Sequence, residues 1–347
     1  MFDKPIMTVS LQRCIILWLS TVCMLIICIV IVGGITRLTH SGLSMVDWNI
    51  ITGIIPPLND ADWQQTFNAY QAFPEFQLIN STMTLSEFKW IFFWEYIHRM
   101  LGRVIGLAII IPWIALTISK QLPRWMIQRG LGMALLVITQ GLMGWLMVKS
   151  GLSSLPDVSH IRLMFHLCFA FTLFIYIWWT LLHIVQPHCT PMNTNHKKGI
   201  QLILFGSCVQ IIYGAFVAGL KAGYIVNTFP KMDTHIIHPE LMVLSPLWIN
   251  LINNPITVQL IHRIIGVILF VGTLYWTISY HYEYLSQFQR RANYLLMGSM
   301  VTQVILGIIT LTQRVPITIA LAHQLMALIT LTAASTCLFG LIHKTNT

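Results

Sequence analysis

Charge is what this sequence has least of. Only 9% of its 347 residues are Asp, Glu, Lys or Arg, against 56% hydrophobic residues and a mean hydropathy of +0.72. An ordinary soluble domain, about one quarter charged, is thereby excluded. Acids are scarcer still, 11 against 20 basic residues. Cysteine is sparse and unpatterned. Cys14, Cys23, Cys28, Cys168, Cys208 and Cys337 fall in apolar runs, and Cys189 in a polar connection. There is no CxxC pair and no zinc-like spacing, so a disulfide framework and a structural zinc site are both excluded. The thiols read as small apolar packing residues. The opening stretch MFDKPIMTVSLQR is too poor in arginine for a transit peptide and shows no small-residue cleavage site, so it is expected to lead directly into a span.

What the chain has instead is long apolar runs. Those near 14–36, 90–118, 126–148, 160–185, 198–219, 259–281, 291–312 and 318–343 each approach the roughly 20 residues needed to cross a bilayer. The expected fold is an all-α integral membrane protein of eight transmembrane helices. The charges that remain are unevenly placed. Lys4, Arg13, Lys120, Arg124, Arg129, Lys197, Lys198, Arg290, Arg291 and Lys344 share one side, opposed there only by Asp3 and Glu283. Asp47, Asp60, Asp62, Glu75, Glu87, Asp157 and Glu240 belong to the other. By the positive-inside rule both termini are cytoplasmic, and the bacterial inner membrane is the simplest location. The net charge of +9 is therefore a topology signal, and nucleic acid is not an expected partner.

The chain also repeats. QLIHRIIG at 259–266 matches EYIHRMLG at 95–102, VTQVILG at 301–307 matches ITQGLMG at 138–144, and LAHQLMA at 321–327 echoes MFHLCFA at 164–170. YGAFVAGLKAG at 213–223 follows the small-residue rhythm of GGITRLTHSG at 33–42. Four matches in one order predict two tandem four-helix bundles, 1–185 and 198–347, joined by a cytoplasmic linker at 186–197. Four crossings return the chain to its starting side, so the halves should be related by a pseudo-two-fold axis along the membrane normal. The long connections 37–89 and 220–258 carry enough Trp, Pro and Asn for short amphipathic helices over the outer face.

Thirteen histidines are present, and most sit at helix edges or in loops where solvated roles suffice. His98, His166, His262 and His323 differ, because each lies at the outer end of an apolar run and the repeat arranges them as two matched pairs. Ionisable groups at membrane depth are costly and tend to mark a site. Two imidazoles from facing helices of a bundle can supply both axial ligands of a haem iron. Cytochromes that stack two haems between one helix pair need two histidines about four turns apart on one helix, and these four do not show that spacing. Arg99 and Arg263 follow two of the histidines, pointing about 100° away, and could reach a haem propionate. Snorkelling to head groups is the plainer alternative. Gly102 and Gly266, one turn further on, would admit a macrocycle or a neighbouring helix.

The halves depart from each other at one informative place. Glu95 lies three residues before His98, whereas Gln259 lies three before His262; Arg103 is likewise matched by Val267. Desolvation at an apolar boundary favours a neutral carboxyl, which suits proton transfer near neutral pH. An ion pair with Arg99, four residues on, is the competing reading. The asymmetry points to a reactive haem in the first half and an electron-transfer haem in the second.

GGITRLTHSGLSMVDWNIITGIIPP, EYIHRMLGRVIG, AFVAGLKAGYIVNTFPKM, LIHRIIG and LAHQLMA together closely resemble the haem A synthase family, in family order and over nearly the whole chain. The likeness is greatest to its mitochondrial and alpha-proteobacterial type. The resemblance implies an oxidoreductase that converts the C8 methyl of haem O to a formyl group by successive hydroxylations, giving haem A for terminal oxidases. It implies that His262 and His323 ligate a resident haem b. It implies that His98 and His166 hold the substrate or product haem, with Glu95 as the acidic residue beside that site. Haem O synthase and oxidase assembly factors are the implied partners. The cysteine pair that some members carry in the first outer loop is missing, which removes a thiol route for electrons there. A di-haem protein that oxidises quinol without changing a haem, and a transporter, are the rival classes.

Overall fold

A computed structural model describes residues 7–46, 52–152, 156–190 and 194–343. Asp3, Lys4, Asp47 and Lys344 of the charge pattern lie outside the described residues, as do 191–193 of the linker and 47–51 of the first long connection. The described residues form helices with no strand. Eight of these helices are long and apolar enough to cross a membrane, and the chain is a multi-pass membrane protein.

The chain divides into two compact units, Met1–Phe174 and Ile175–Thr347. The first contains α1 (Val9–Leu38), α2 (Asp60–Gln71), α3 (Pro74–Leu78), α4 (Leu85–Ile118), α5 (Arg124–Gly151) and the leading part of α6 (His160–Val185). The second takes the end of α6 with α7 (Thr194–Gly219), α8 (Asn250–Asn253), α9 (Pro255–His281), α10 (Gln287–Thr312) and α11 (Ile317–Ile342). Several helices begin four or five residues earlier than the apolar runs suggest, because their first turns are polar and held by caps. Thr84 and Glu87 form a capping box at the start of α4, as Ser286 and Gln289 do for α10. Asn254 caps α9 by accepting from the N–H groups of Ile256 and Thr257. Such caps satisfy donors that the helix cannot, whatever the hydropathy of the turn.

In the first unit α4 packs against α1 and α5. Trp18 Nε1 donates to Ala108 O at 2.6 Å and Trp113 Nε1 to Ile127 O at 3.1 Å, each joining one pair of helices. The segment 60–78 folds as the expected short helices. Phe67 and Tyr70 of α2 pack on Phe88, Ile91 and Phe92 of α4 as an aromatic cluster. Burial, followed by the neighbouring Glu75 carboxylate, pushes the Tyr70 phenol well above its ordinary value.

In the second unit α7 packs on α9 and α11, and α10 on both of these. The small residues of α11, Ala333, Ala334, Ser335 and Cys337, are buried, as expected where helices approach closely in a membrane. Gln289 is almost fully buried and well satisfied, donating to Gly340 O and Thr190 O while accepting from Thr190 Oγ1. The connection 220–254 departs from expectation. It forms two 3-10 turns and the four-residue α8 in place of amphipathic helices. Pro230, Pro239 and Pro246 divide it into pieces too short to hold a helix.

Candidate functional site

Each of the four singled-out histidines sits on a long helix: His98 on α4, His166 on α6, His262 on α9 and His323 on α11. In the first unit the His98 and His166 rings face each other, with centroids 6.4 Å apart and planes inclined by 57°. Two in-line metal–nitrogen bonds of about 2 Å each, with half a ring at either end, add to roughly 6 Å. The spacing therefore accommodates one metal centre between two imidazoles. In the second unit His323 lies within electrostatic range of His262.

Three further features fit axial ligation of a macrocycle. Nδ1 of all four rings is buried without a hydrogen-bond partner, so each ring keeps one nitrogen that the core does not satisfy. Among the described residues no cluster of three or more His, Cys, Asp or Glu could hold a bare metal ion. A two-ligand site suits a metal whose remaining positions are filled by a porphyrin. Finally, every ring rests on a glycine of a neighbouring helix. A Cβ at Gly33 would lie 2.8 Å from His98 Cε1, and at Gly307 2.9 Å from His323 Cε1; at Gly144 and Gly214 it would lie 3.2 Å from Cε1 of His166 and His262. The glycines let the imidazoles lie close to a helix backbone, which restricts their rotation.

Glutamines stand beside the rings, Gln303 next to His323 among them. Gln140 Nε2 is 3.3 Å from His166 Nε2, and Gln210 Nε2 is 3.3 Å from His262 Nε2. Neither these amides nor the four glycines were singled out from sequence. Gln140 and the four glycines lie inside the repeated segments and Gln210 just before YGAFVAG, where they pass for ordinary helix residues.

Glu95 and Gln259 have a common architectural place and opposite chemistry. Glu95 is 2% exposed. Its Oε2 accepts from Ser44 Oγ at 2.7 Å and from the Met45 N–H at 2.8 Å, while Oε1 accepts from Arg99 Nη2 at 2.5 Å. Arg99 also donates to Met45 O at 2.8 Å. The carboxylate thus ties α4 to the segment that follows α1. Gln259, 3% exposed, donates through Nε2 to Ala222 O at 2.8 Å and Val226 O at 3.1 Å. Its Oε1 accepts from Arg263 Nη2 at 2.8 Å, and Arg263 Nη1 reaches Lys231 O at 3.2 Å. The described bonds of both arginines therefore go to a connection and to the residue one turn back. Gly102 and Gly266 face a neighbouring helix: a Cβ there would lie 3.7 Å from Ile29 Cδ1 and 3.2 Å from Gln210 Nε2, respectively.

A pair of imidazoles on facing helices, repeated along the chain and seated on glycine, is a specific arrangement, and comparison with known proteins gives it a family. The model of the family described as "Cytochrome oxidase assembly protein" matches residues 16–335, a span that holds all four histidines. The chain belongs to that family. Among its relatives is the protein named Heme A synthase of Wolbachia pipientis subsp. Culex pipiens (strain wPip), 40% identical over 324 residues, covering 93% of this chain and 96% of the relative. The Heme A synthase of Nitrosospira multiformis is 41% identical over 332 residues, covering 94% and 92%. That of Flavobacterium psychrophilum is 40% identical over 324 residues, covering 92% and 96%. The match to these relatives thus extends through both units and includes both histidine pairs.

Proposed function

We propose that the chain is a haem A synthase, an oxidoreductase acting on the C8 methyl group of haem O. The methyl carbon gives up four electrons to an external oxidant in two hydroxylations, to an alcohol and then to a geminal diol, and loss of water leaves the formyl group of haem A. The observation that carries this reading is the 6.4 Å pair of His98 and His166, within a chain whose relatives at about 40% identity are named for this activity.

In this reading the first half, residues 1–185, would hold the substrate, with His98 and His166 as the residues that would bind its iron. Gly33 and Gly144 keep the two rings turned toward each other. Glu95 and Arg99 fasten the segment around Ser44 and Met45 beside the substrate, excluding water. Proton handling at Glu95 uses Oε2, whose bonded neighbour Ser44 carries a hydroxyl proton. The second half, residues 198–347, would hold a haem b on His262 and His323, and the chemistry this group supplies is one-electron transfer. Arg263 and Arg99 stand one residue from a ligand, where they can also meet a propionate. In this reading the chain lies in a bacterial inner membrane with both termini cytoplasmic. That location suits a substrate drawn from the bilayer, with haem O synthase and oxidase assembly factors as neighbours.

The test is to express the chain together with a source of haem O and extract the pigments of the purified protein. Haem b together with haem A or haem O is the expected result. A colourless protein would overturn both haem sites. Haem b with haem O left unchanged under turnover conditions would leave a di-haem electron carrier.

A further inference from the structure

Two arginines of the first unit have apolar counterparts in the second. Arg162 lies four residues before His166 on α6, and Ile319 lies four before His323 on α11. Arg37 lies four residues after Gly33, the glycine under His98, and Ala218 lies four after Gly214, the glycine under His262. The histidine layers of the two units match. One turn further toward the ends of these helices, the first unit is cationic and the second apolar.

Residues four apart on a helix share a face, so Arg162 stands on the face of His166 and Arg37 on the face of Gly33. Beside Arg37, Thr36 Oγ1 donates to Trp94 O at 3.3 Å, which sets this turn of α1 level with the turn of α4 before His98. Arg162 Nη1 donates to Leu146 O at 2.6 Å, two residues beyond Gly144, on which the His166 ring rests. Arg162 is half-buried, and among the described residues its guanidinium pairs with no carboxylate. The carbonyl occupies one of its five N–H groups. A cation at membrane depth is costly, and isoleucine fills the same place in the second unit without that cost. Packing does not call for the charge, whereas a bound anion would.

Resting on the haem O reading above, we propose that Arg162 and Arg37 bind the two propionates of the substrate and thereby restrict which of its methyl groups is oxidised. The propionates are the anionic substituents of haem O and stand side by side on one edge of the macrocycle. Planar guanidinium forks hold carboxylates in a fixed direction. Of the four ring methyls, two share a pyrrole with a propionate, the C8 methyl among them, and two sit on the rings without one. Fixing the propionate edge stops the macrocycle from turning in its own plane, which excludes the second two. The isoprenoid tail, present on one side only, then separates the C8 methyl from its counterpart on the neighbouring ring. A haem that passes electrons has no methyl to select, so Ile319 and Ala218 suffice in the second unit.

The test titrates the purified full-length protein with iron protoporphyrin IX and with its dimethyl ester, in which both propionates are masked, following the Soret band. Arg162→Leu should weaken one site for the diacid by about 10- to 100-fold, the worth of a charge-assisted hydrogen bond. Binding of the ester should stay unchanged. Arg37→Leu, on another helix, should act in the same sense, and it carries the test even where Arg162→Leu does not fold. Arg162→Lys should fall between, keeping the charge without the fork. Equal losses for diacid and ester, or no loss for either, would overturn the inference and leave the haem sites standing. With haem O as substrate, Arg162→Leu should yield isomers formylated at other ring methyls beside haem A; haem A as sole product would overturn the selection. A wild-type protein that takes up neither porphyrin would overturn the haem reading itself.

Discussion

Glu95 and Gln259 stand at the same turn of their helices, three residues before a histidine and four before an arginine, and each is almost wholly buried. One is an acid and the other an amide because the connections they hold present opposite polarity. Around Glu95 the chain offers donors, the Ser44 hydroxyl and the Met45 N–H. Around Gln259 it offers the carbonyls of Ala222 and Val226. A buried acceptor needs donors and a buried donor needs acceptors, so each side chain matches its loop. Read from sequence alone, the acid looked like chemistry, with an ion pair as the competing view. In the structure that pair is present, and the carboxylate also has a mechanical task that the amide performs in the other unit.

The largest effect is expected for Glu95→Ala, which leaves the buried Arg99 without its counter-charge. Loss of one partner of a buried pair costs about 3–5 kcal/mol. Thermal unfolding in detergent should show it, with the haem proposed for His262 and His323 retained; a variant as stable as wild type would remove the clamp. Gln259→Glu should come next, at about 1–3 kcal/mol, by setting a carboxylate oxygen against two carbonyls. If that variant proves neutral while Glu95→Gln is damaging, loop polarity does not explain the difference between the units.

The glycine seats sharpen the same contrast. Gly33→Ala should disturb its histidine more than Gly214→Ala, because the added carbon meets His98 at 2.8 Å but His262 at 3.2 Å. Overpacking of this kind costs about 1–3 kcal/mol, and the low-spin haem bands of the affected site should weaken with it. Equal bands in both variants would contradict the ranking. The smallest effect is expected for Ser44→Ala, which removes one of the three donors to Glu95 and should cost about 1 kcal/mol. A loss as large as that of Glu95→Ala would instead assign the Ser44 hydroxyl a part in the reaction.

Much of this site is legible in the sequence. His98, His166, His262 and His323 stand out because an ionisable side chain in an apolar run is conspicuous one residue at a time, and the repeat sorts them into pairs. The glycines beneath them were not legible as a seat, since what they contribute is the absence of a side chain facing a ring on another helix. Gln140 and Gln210 escaped for a related reason: an amide in a membrane helix is unremarkable until its neighbour is known. The helices over residues 60–78 follow from the composition of that connection, whereas in 220–254 the prolines override it.

Hydropathy, periodicity and repetition are properties of the chain itself, so they determined eight spans, two similar halves and four candidate ligands. Which groups face each of those residues follows from the packing of helices and connections. The acid at 95 and the amide at 259 are matched to hydroxyl, N–H and carbonyl groups brought from more than 30 positions away, and the direction of those groups is set by how each connection turns. Hydrogen-bond polarity belongs to a contact between two segments, and neither segment alone encodes it.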